Sequence, residues 1–283
     1  MAVAIVDGIP TRYEITGSGA PVLLCSPGGF NATLDNWEQL GVYKRLQLRP
    51  HLAEHMQCIA FDRRESGQSG GRLERLSWQD YADQALGVLD GLGIERAHLI
   101  GGCVGCSVAL CVAIAHPERV ASLILFSPAG GPRYRMAQHA RFRQHLAFVA
   151  DNGLRAVVAR ARESAASFSE DPCVGPWATV LRRDETFAER YGAHDPGRYA
   201  TMVSAMARLL FDRDTVPGVE PEDLMGLDVP AFIVPGHDAS HAPSAARYLE
   251  ECLPNVEYWD IAVEDQREEN VRERLLRFLL STA

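Results

Sequence analysis

The first 130 residues alternate short apolar runs with segments of helical periodicity, and this alternation limits the fold more than any other feature of the sequence. Such a pattern is typical of a largely parallel sheet with helices on both faces. We predict an α/β protein, with strands at Arg12–Thr16, Val22–Cys25, Gln57–Phe61, Ala97–Ile100 and Ser122–Phe126.

Two helices are predicted between these strands. In Ser77–Leu92 the apolar residues recur at helical spacing, and Ser77 with Asp80 resembles a capping box. The second helix, Val104–His116, ends before Pro117.

From residue 131 to residue 222 the strand pattern is absent and the sequence has helical character. Strands resume at Ala231–Val234 and Val256–Trp259, followed by helices at Pro243–Leu253 and Gln266–Leu280. We therefore predict a core made of residues 1–130 and 223–283, interrupted by a helical cap at 131–222. Asp265 with Glu268 predicts a second capping box, which would open the last helix.

Charge and hydropathy exclude several classes of protein. The net charge is −9, and no segment forms a basic stripe, so we expect no nucleic-acid partner. The longest apolar run, Val108–Ala115, is far shorter than the roughly 20 residues of a membrane helix. With no signal-peptide pattern at the start, we expect a cytoplasmic protein that does not enter membranes.

The lysine and cysteine residues exclude further classes of enzyme and metal site. Lys44 is the single lysine and lies outside any P-loop or Schiff-base motif. The seven cysteines include one C-x-x-C pair, Cys103 and Cys106, without a second pair at zinc-ligand spacing. We expect no disulfide framework, no metal and no cofactor.

The stretch Gly101-Gly102-Cys103-Val104-Gly105 lies between a predicted strand and an apolar helix. This is a G-x-nucleophile-x-G pattern in the strand–turn–helix context of a nucleophile elbow. Small flanking residues are needed because helix and strand approach closely at such a turn. Cys103 would lie at the helix N-terminus, where backbone N–H groups and the helix dipole favour a thiolate.

With these residues the chain resembles the α/β-hydrolase superfamily, specifically members that carry a cap between two parts of the sheet. The resemblance extends to an oxyanion-type loop, a D-x-R-G-x-G-x-S turn from which Glu65 departs, the segment after the elbow helix, and an acid loop. These lie at Ser26–Phe30, Asp62–Ser69, His116–Val120 and Pro235–Asp238. A cysteine nucleophile is a minority choice, known from dienelactone-hydrolase-like enzymes, and the similarity to those is limited to the elbow.

The resemblance implies roles for five residues. Cys103 would be the nucleophile and Asp238 the acid, while the backbone N–H groups of Val104 and of Gly28 or Gly29 would form the oxyanion hole. Such a site would act on a small molecule, namely an ester, thioester, lactone or activated C–C bond.

The chain departs from the family where the catalytic histidine is expected, because no histidine follows His241. We expect first a site without a histidine base, since a thiolate can attack unaided. The alternative is that His241, three residues after Asp238, has taken over the base role. Glu264, near the expected histidine position, is interpreted as a solvated carboxylate.

The other histidines are assigned less directly. His98 and His116 are interpreted as structural, whereas His139, His145 and His194 belong to the insertion and could overhang the site. Two further functions remain open: a small-molecule-binding homologue that has lost hydrolysis, and a thiol redox protein using Cys103 and Cys106. Cys106 by default is a packed core thiol.

Overall fold

The computed structural model of the protein describes residues 2–282, which form one eight-stranded sheet with helices on both of its faces. The strand order is β1-β2-β4-β3-β5-β6-β7-β8. The pairs β1–β2 and β2–β4 are antiparallel, and all remaining pairs are parallel, which confirms the predicted fold class. The strands are β1 Ala2–Val6, β2 Ile9–Thr16, β3 Pro21–Cys25, β4 Gln57–Phe61, β5 Ala97–Gly102, β6 Val120–Phe126, β7 Ala231–Val234 and β8 Val256–Tyr258.

The predicted strands are all present, with ends shifted by up to three residues. Strand β1 was not predicted. It lies at the sheet edge, where Val3 and Ile5 are exposed, so its sequence lacks the buried apolar alternation of the other strands.

Alternate residues of the central strands supply two hydrophobic cores. In β3, Leu23 and Cys25 face one core, whereas Val22 and Leu24 face the other. The first core packs against the helices Trp78–Gly91, Gly105–Ala115 and Pro243–Cys252. The second packs against the helices Gly41–Leu46, Leu48–Leu52 and Glu268–Ser281. The helices are α1 Asn36–Gln39, α2 Gly41–Leu46, α3 Leu48–Leu52, α4 Trp78–Gly91, α5 Gly105–Ala115, α6 Pro132–Glu163, α7 Ala178–Arg183, α8 Glu185–Gly192, α9 Pro196–Leu210, α10 Pro221–Met225, α11 Pro243–Cys252 and α12 Glu268–Ser281.

The first predicted capping box is confirmed and the second is wrong. Ser77 caps α4: its Oγ accepts from the Asp80 N–H at 3.3 Å, while the Asp80 carboxylate accepts from the Ser77 N–H at 2.7 Å. At α12, Asp265 lies instead in the 3₁₀ turn Val263–Asp265. That turn delays the helix, and the side chain of Asn270 accepts from the Arg267 N–H at 2.9 Å.

Between β6 and β7 the chain forms helices and turns, with no strand. The long helix α6 is kinked at Gly153, whose φ of 78° interrupts the helical backbone. We refer to residues 131–222 as the insertion. Its aromatic side chains join the core of the sheet, because the Phe30 ring packs edge-on against Phe142 and Phe168 at centroid distances of 5.6 and 5.3 Å.

Across residues 2–282, every helix is too short or too polar to cross a bilayer.

Candidate active site

Cys103 occupies a sharp turn between β5 and α5 at the carboxyl edge of the sheet. Its φ of 54° lies in the left-handed region, which costs a non-glycine residue energy and is concentrated at functional sites. A Cβ at Gly105 would lie 2.0 Å from the Cys25 carbonyl oxygen, and one at Gly101 would lie 2.5 Å from the Cys106 Cα. Both glycines are therefore required for the helix to start so close to the sheet.

The turn is fastened to the end of the neighbouring strand β6. The Cys103 N–H donates to the Phe126 carbonyl at 3.1 Å, and the Cys103 carbonyl accepts from the Ala129 N–H at 3.2 Å. Cys103 itself is only partly buried. These bonds hold the strained backbone in place.

Asp238 and His241 form a second group of polar side chains, on the loop after β7. The Asp238 carboxylate accepts backbone N–H groups from Ser240 at 2.7 Å and from His241 at 3.0 Å. The same carboxylate is 2.8–2.9 Å from the Nδ1 atom of the His241 ring. The sequence places this acid and this imidazole three residues apart, and the loop folds so that they hydrogen-bond.

The backbone brings His241 to the edge of the sheet. His241 forms a parallel bridge with Gly130, whose N–H donates to the Ser240 carbonyl at 2.9 Å. Gly236 lies directly behind the histidine, since a Cβ there would be 2.5 Å from the His241 Cβ. Gly130 and Gly236 hold the His241 backbone in place, and the sequence motifs did not point to either of them in this role.

Electrostatics links His241 to Cys103. Burial alone would lower the pKa of His241, but hydrogen bonding and charge interaction with the Cys103 thiol and with Asp238 raise it to about 9. The Nε2 atom is buried and meets full hydrogen-bond geometry with no group among residues 2–282. Among the interactions that raise the pKa of the ring, those with the Cys103 thiol are the largest. Burial would also raise the pKa of Asp238, yet hydrogen bonds from His241 and Ser240 lower it.

The backbone groups expected to stabilise an oxyanion lie on two loops. Val104 is the N-cap of α5, and its N–H donates to no other residue of the described chain 2–282. Gly28 and Gly29 have φ values of 123° and 58°, a region in which a residue with a side chain would have a strained backbone. The Asn36 amide fixes their loop by donating to the Pro27 and Asn31 carbonyls, each at 2.7 Å.

A small cavity lies between the sheet edge and the insertion, and Gly29 and Val104 both line it. Its volume is about 10 Å³, close to the minimum that holds one water molecule. The insertion contributes Tyr134, Gln138, Leu210 and Phe211 to its wall. Arg63 also lines it, although the sequence motifs did not point to this residue.

The remaining histidines are engaged elsewhere or exposed. The His98 ring hydrogen-bonds Ser122 at 2.8 Å, inside the fold. In the insertion, the His139 ring contacts the Phe211 carbonyl at 2.8 Å, and the buried His145 lies between the Pro172 carbonyl and the Tyr199 hydroxyl. His116 is partly exposed, and His194 is exposed.

The region after β8, where the resemblance implied a catalytic histidine, contains a buried glutamine instead. The Gln266 amide donates to the Pro235 carbonyl at 2.8 Å. Glu264 is exposed in the preceding turn.

Cys106 is fully buried in α5, and its thiol contacts the Gly101 carbonyl at 3.1 Å. Burial raises the pKa of this thiol well above its ordinary value, which is typical of a packed core cysteine and opposes thiolate chemistry.

Comparison with known protein families identifies the family of the chain. Residues 21–166, just over half of the sequence, match the family model described as alpha/beta hydrolase fold. The chain belongs to this family. Two crystallised proteins share the fold over nearly the full length of both chains. The enol-lactonase of Burkholderia xenovorans LB400 has a TM-score of 0.63 at 20% identity, covering 99% of this chain and 100% of its own. The meta-cleavage product hydrolase of Pseudomonas fluorescens IP01 has a TM-score of 0.62 at 18% identity, covering 100% and 98%.

Curated relatives are more similar in sequence over a shorter stretch. The 2-hydroxymuconate semialdehyde hydrolase of Pseudomonas sp. strain CF600 is 38% identical over 128 residues, which cover 44% of this chain and 42% of the relative. The dihydrolipoyllysine-residue acetyltransferase component of the acetoin cleaving system from Cupriavidus necator is 38% identical over 127 residues, covering 45% and 32%. The chain thus spans less than half the length of these curated relatives.

Proposed function

We propose that the protein is a hydrolase or acyltransferase-like enzyme that uses Cys103 as its nucleophile. Its substrate is a small ester, thioester, lactone or activated C–C bond. Asp238 orients His241, His241 moves the proton, and the N–H groups of Val104 and of Gly28 or Gly29 stabilise the oxyanion. This assignment adopts the alternative in which His241 serves as the base.

The observation that carries the proposal is the hydrogen bond between His241 and Asp238, on a loop that adjoins the Cys103 turn. The Gly130 N–H donates to the Ser240 carbonyl of this loop, and the neighbouring Ala129 N–H donates to the Cys103 carbonyl. One ring nitrogen of His241 is held by the Asp238 carboxylate at 2.8 Å, and the Cys103 thiol raises the pKa of the same ring. A nucleophile, a base and an orienting acid in this sequence are the parts of a catalytic triad. The strained backbone of Cys103 and the hydrolase names of two relatives support the same conclusion.

The reaction follows from these positions. Because the pKa of His241 is raised to about 9, the ring already holds the proton from the Cys103 thiol at neutral pH, and the thiolate attacks the substrate carbonyl to form a C–S bond while the carbonyl π bond opens. The negative charge that develops on the carbonyl oxygen is stabilised by the two N–H groups. The carbonyl then re-forms, the bond from its carbon to the leaving group breaks, and the leaving group keeps the electron pair and takes the proton from His241, so that an acyl-Cys103 remains. Hydrolysis of this thioester requires His241 to activate water, whereas acyl transfer uses another acceptor.

We further propose that residues 131–222 act as a cap over the site, with residues 1–130 and 223–283 as the catalytic core. The insertion forms one wall of the cavity that Gly29 and Val104 line. Because that cavity holds about one water molecule, the cap must separate from the core to admit substrate.

A second candidate is a small-molecule-binding protein that retains the fold without turnover, because the region after β8 contains Gln266 where the resemblance implied the catalytic histidine. A thiol redox function is disfavoured, because Cys106 is a buried thiol with a raised pKa.

The decisive experiment is to expose the protein to 4-nitrophenyl acetate and follow both 4-nitrophenol release and the intact mass. We expect an acetyl adduct on Cys103 that forms and decays, no adduct in Cys103→Ala, and acylation slowed roughly 10²–10⁴-fold in His241→Ala. His237→Ala is the matched control, because His237 is an exposed imidazole on the same loop. An adduct that never decays would indicate acyl storage without hydrolysis, and no adduct at all would favour the binding protein.

A further inference from the structure

Among residues 2–282, Arg63 is a buried arginine that contacts no carboxylate directly. It follows β4 and Asp62 and retains 6% of its surface exposure. Within residues 2–282, no carboxylate oxygen comes within 4.0 Å of its guanidinium nitrogens. Burying a cation without an ion-pair partner costs desolvation free energy, so such a group beside a cavity is a candidate for binding an anionic ligand.

The other buried arginines differ from Arg63 because they form ion pairs with carboxylates. Arg12, Arg49 and Arg64 are buried too, and each contacts at least two carboxylates. Arg12 pairs with Glu14 and Asp35 at 2.8 and 2.9 Å. Arg49 pairs with Glu14 and Glu38, and Arg64 with Glu65 and Glu74. The fold therefore compensates buried guanidinium groups with carboxylates everywhere except at the cavity.

The hydrogen-bonding capacity of Arg63 is only partly used. One terminal nitrogen donates to the Gly29 carbonyl, and the guanidinium lies 4.1 Å from the centroid of the Tyr81 ring. Its Nε atom is buried without a hydrogen-bond partner in the described chain. Gln138, which is also buried and lines the same cavity, makes no side-chain hydrogen bond among residues 2–282. Two polar side chains with unused capacity therefore meet at one small space.

That space adjoins the reaction centre. The cavity is lined by Gly29 and Val104, the residues assigned to the oxyanion hole, together with aromatic rings that include Trp78 and Tyr134. A molecule whose carbonyl lies at the oxyanion hole would extend its remaining atoms between these rings toward Arg63. A guanidinium is matched in shape and charge by a carboxylate, which accepts two N–H groups at once.

We propose that Arg63 binds the free carboxylate of an acidic substrate, so that the enzyme prefers acyl groups carrying a second, ionised carboxyl. This rests on the proposed function of Cys103. Opening of the cap exposes the cavity, the ligand carboxylate takes up the unused Arg63 donors, and Gln138 contributes its amide. Phosphate would satisfy the charge, but the aromatic lining favours an organic acid with an apolar body.

Binding is tested first, because it does not require turnover. Monomethyl glutarate, which is ionised, and dimethyl glutarate, which is neutral, compete with iodoacetamide for Cys103 in the wild type, Arg63→Met and Arg63→Lys. We expect the monoester to protect Cys103 at least 10-fold more strongly than the diester, a preference lost in Arg63→Met and partly kept in Arg63→Lys. Arg208→Met is the control, since it removes an exposed arginine from the cap helix α9.

Substrate preference is tested second, with mono(4-nitrophenyl) adipate and its methyl ester. We expect Arg63→Met to lower kcat/KM for the acidic ester about 10- to 100-fold more than for the neutral one. The ratio is the readout, because loss of the bond to Gly29 would disturb both substrates alike. An unchanged ratio in Arg63→Met, with the neutral ester still acylating Cys103, would overturn the assignment of Arg63 alone. Absence of acylation by either ester would count against Cys103 catalysis, and the protection assay would still decide the role of Arg63.

Discussion

The His241 ring donates from Nδ1 to the Asp238 carboxylate at 2.8 Å, although the two residues are only three positions apart on one loop. The α/β-hydrolase resemblance places the histidine after the last strand, so that acid and base come from different loops. Here Asp238 and His241 lie on one loop, and the region after β8 contains the buried Gln266. Because both residues share one turn, the hydrogen bond between them is set locally, while the bridge to Gly130 fixes where the turn lies.

Asp238→Asn tests whether the carboxylate controls the imidazole. Asparagine keeps an oxygen for the Ser240 and His241 N–H groups but loses the charge that helps to raise the His241 pKa. We expect the His241 pKa to fall and acylation of Cys103 to slow by about 10²-fold or more. NMR titration of the His241 imidazole measures the first effect. An unshifted titration would show that Asp238 only shapes the turn.

The pH dependence of stability provides an independent measure of His241. Its pKa is raised from 6.5 to about 9 in the folded protein, because the interactions with Cys103 and Asp238 outweigh burial. The stabilisation is therefore fully present below about pH 6.5 and is lost as the pH rises through 9. Relative to His241→Gln, the wild type should lose on the order of 3 kcal/mol of unfolding free energy across this window.

Urea unfolding at pH 6, 7, 8, 9 and 10 gives this difference, and His237→Gln on the same loop controls for loss of an imidazole. A difference that stays constant from pH 6 to 10 would contradict the raised pKa of His241.

The sheet and the elbow were predictable because their signals are local. Apolar runs bounded by turns identified the buried strands, and the glycines around Cys103 identified the tight turn that its φ of 54° confirms. The edge strand β1 was not predicted because its residues are mostly exposed and show no pattern of buried apolar residues. Its pairing with β2 depends on contacts that the sequence pattern does not encode.

Long-range contacts account for what was missed at the site. The sequence showed His241 near Asp238, but the parallel bridge to Gly130, over a hundred residues away, is what fixes its position. Arg63 lies within a recognised turn motif, yet its unpaired state depends on which carboxylates the fold brings near. Neighbouring Arg64 has the same side chain and contacts Glu65 and Glu74.

Gly236→Ala tests whether His241 must stay in its observed position. The new Cβ would lie 2.5 Å from the His241 Cβ and 3.1 Å from the Ser127 Cβ, so the histidine loop must move. We expect acylation of Cys103 to fall by about 10²-fold, as for a displacement of roughly 1 Å in a catalytic group, with a stability loss of about 1–3 kcal/mol.

The matched control is Gly226→Ala, where the nearest atoms to the new Cβ are 3.7 and 3.8 Å away, in ordinary contact. The burst of 4-nitrophenol and the melting temperature separate the two effects. If Gly236→Ala acylates as fast as Gly226→Ala, the position of His241 is irrelevant to the reaction.

The last prediction concerns Glu65, the residue that departs from the D-x-R-G-x-G-x-S pattern and adopts a φ of 63°. It is fully buried, and burial raises its pKa from 4.5 to about 7, even though the Arg64 guanidinium opposes this shift. Between these pH values the unfolded chain has already ionised Glu65 while the folded protein keeps it protonated. Its stabilising contribution is thus present below pH 4.5 and is lost as the pH rises through 7.

Glu65→Gln removes this titration, so its stability relative to the wild type should rise on the order of 3 kcal/mol from pH 4.5 to pH 7.5 and then level off. Denaturant unfolding at four pH values in this range measures the rise. Glu264→Gln, which removes an exposed carboxylate, should give a flat difference. A flat profile for Glu65→Gln as well would mean that Arg64 keeps Glu65 ionised in the folded protein. The glutamate would then act as the permanent counter-charge of Arg64, and Arg64→Met would be expected to destabilise the protein most at neutral pH, where that charge would remain buried without a partner.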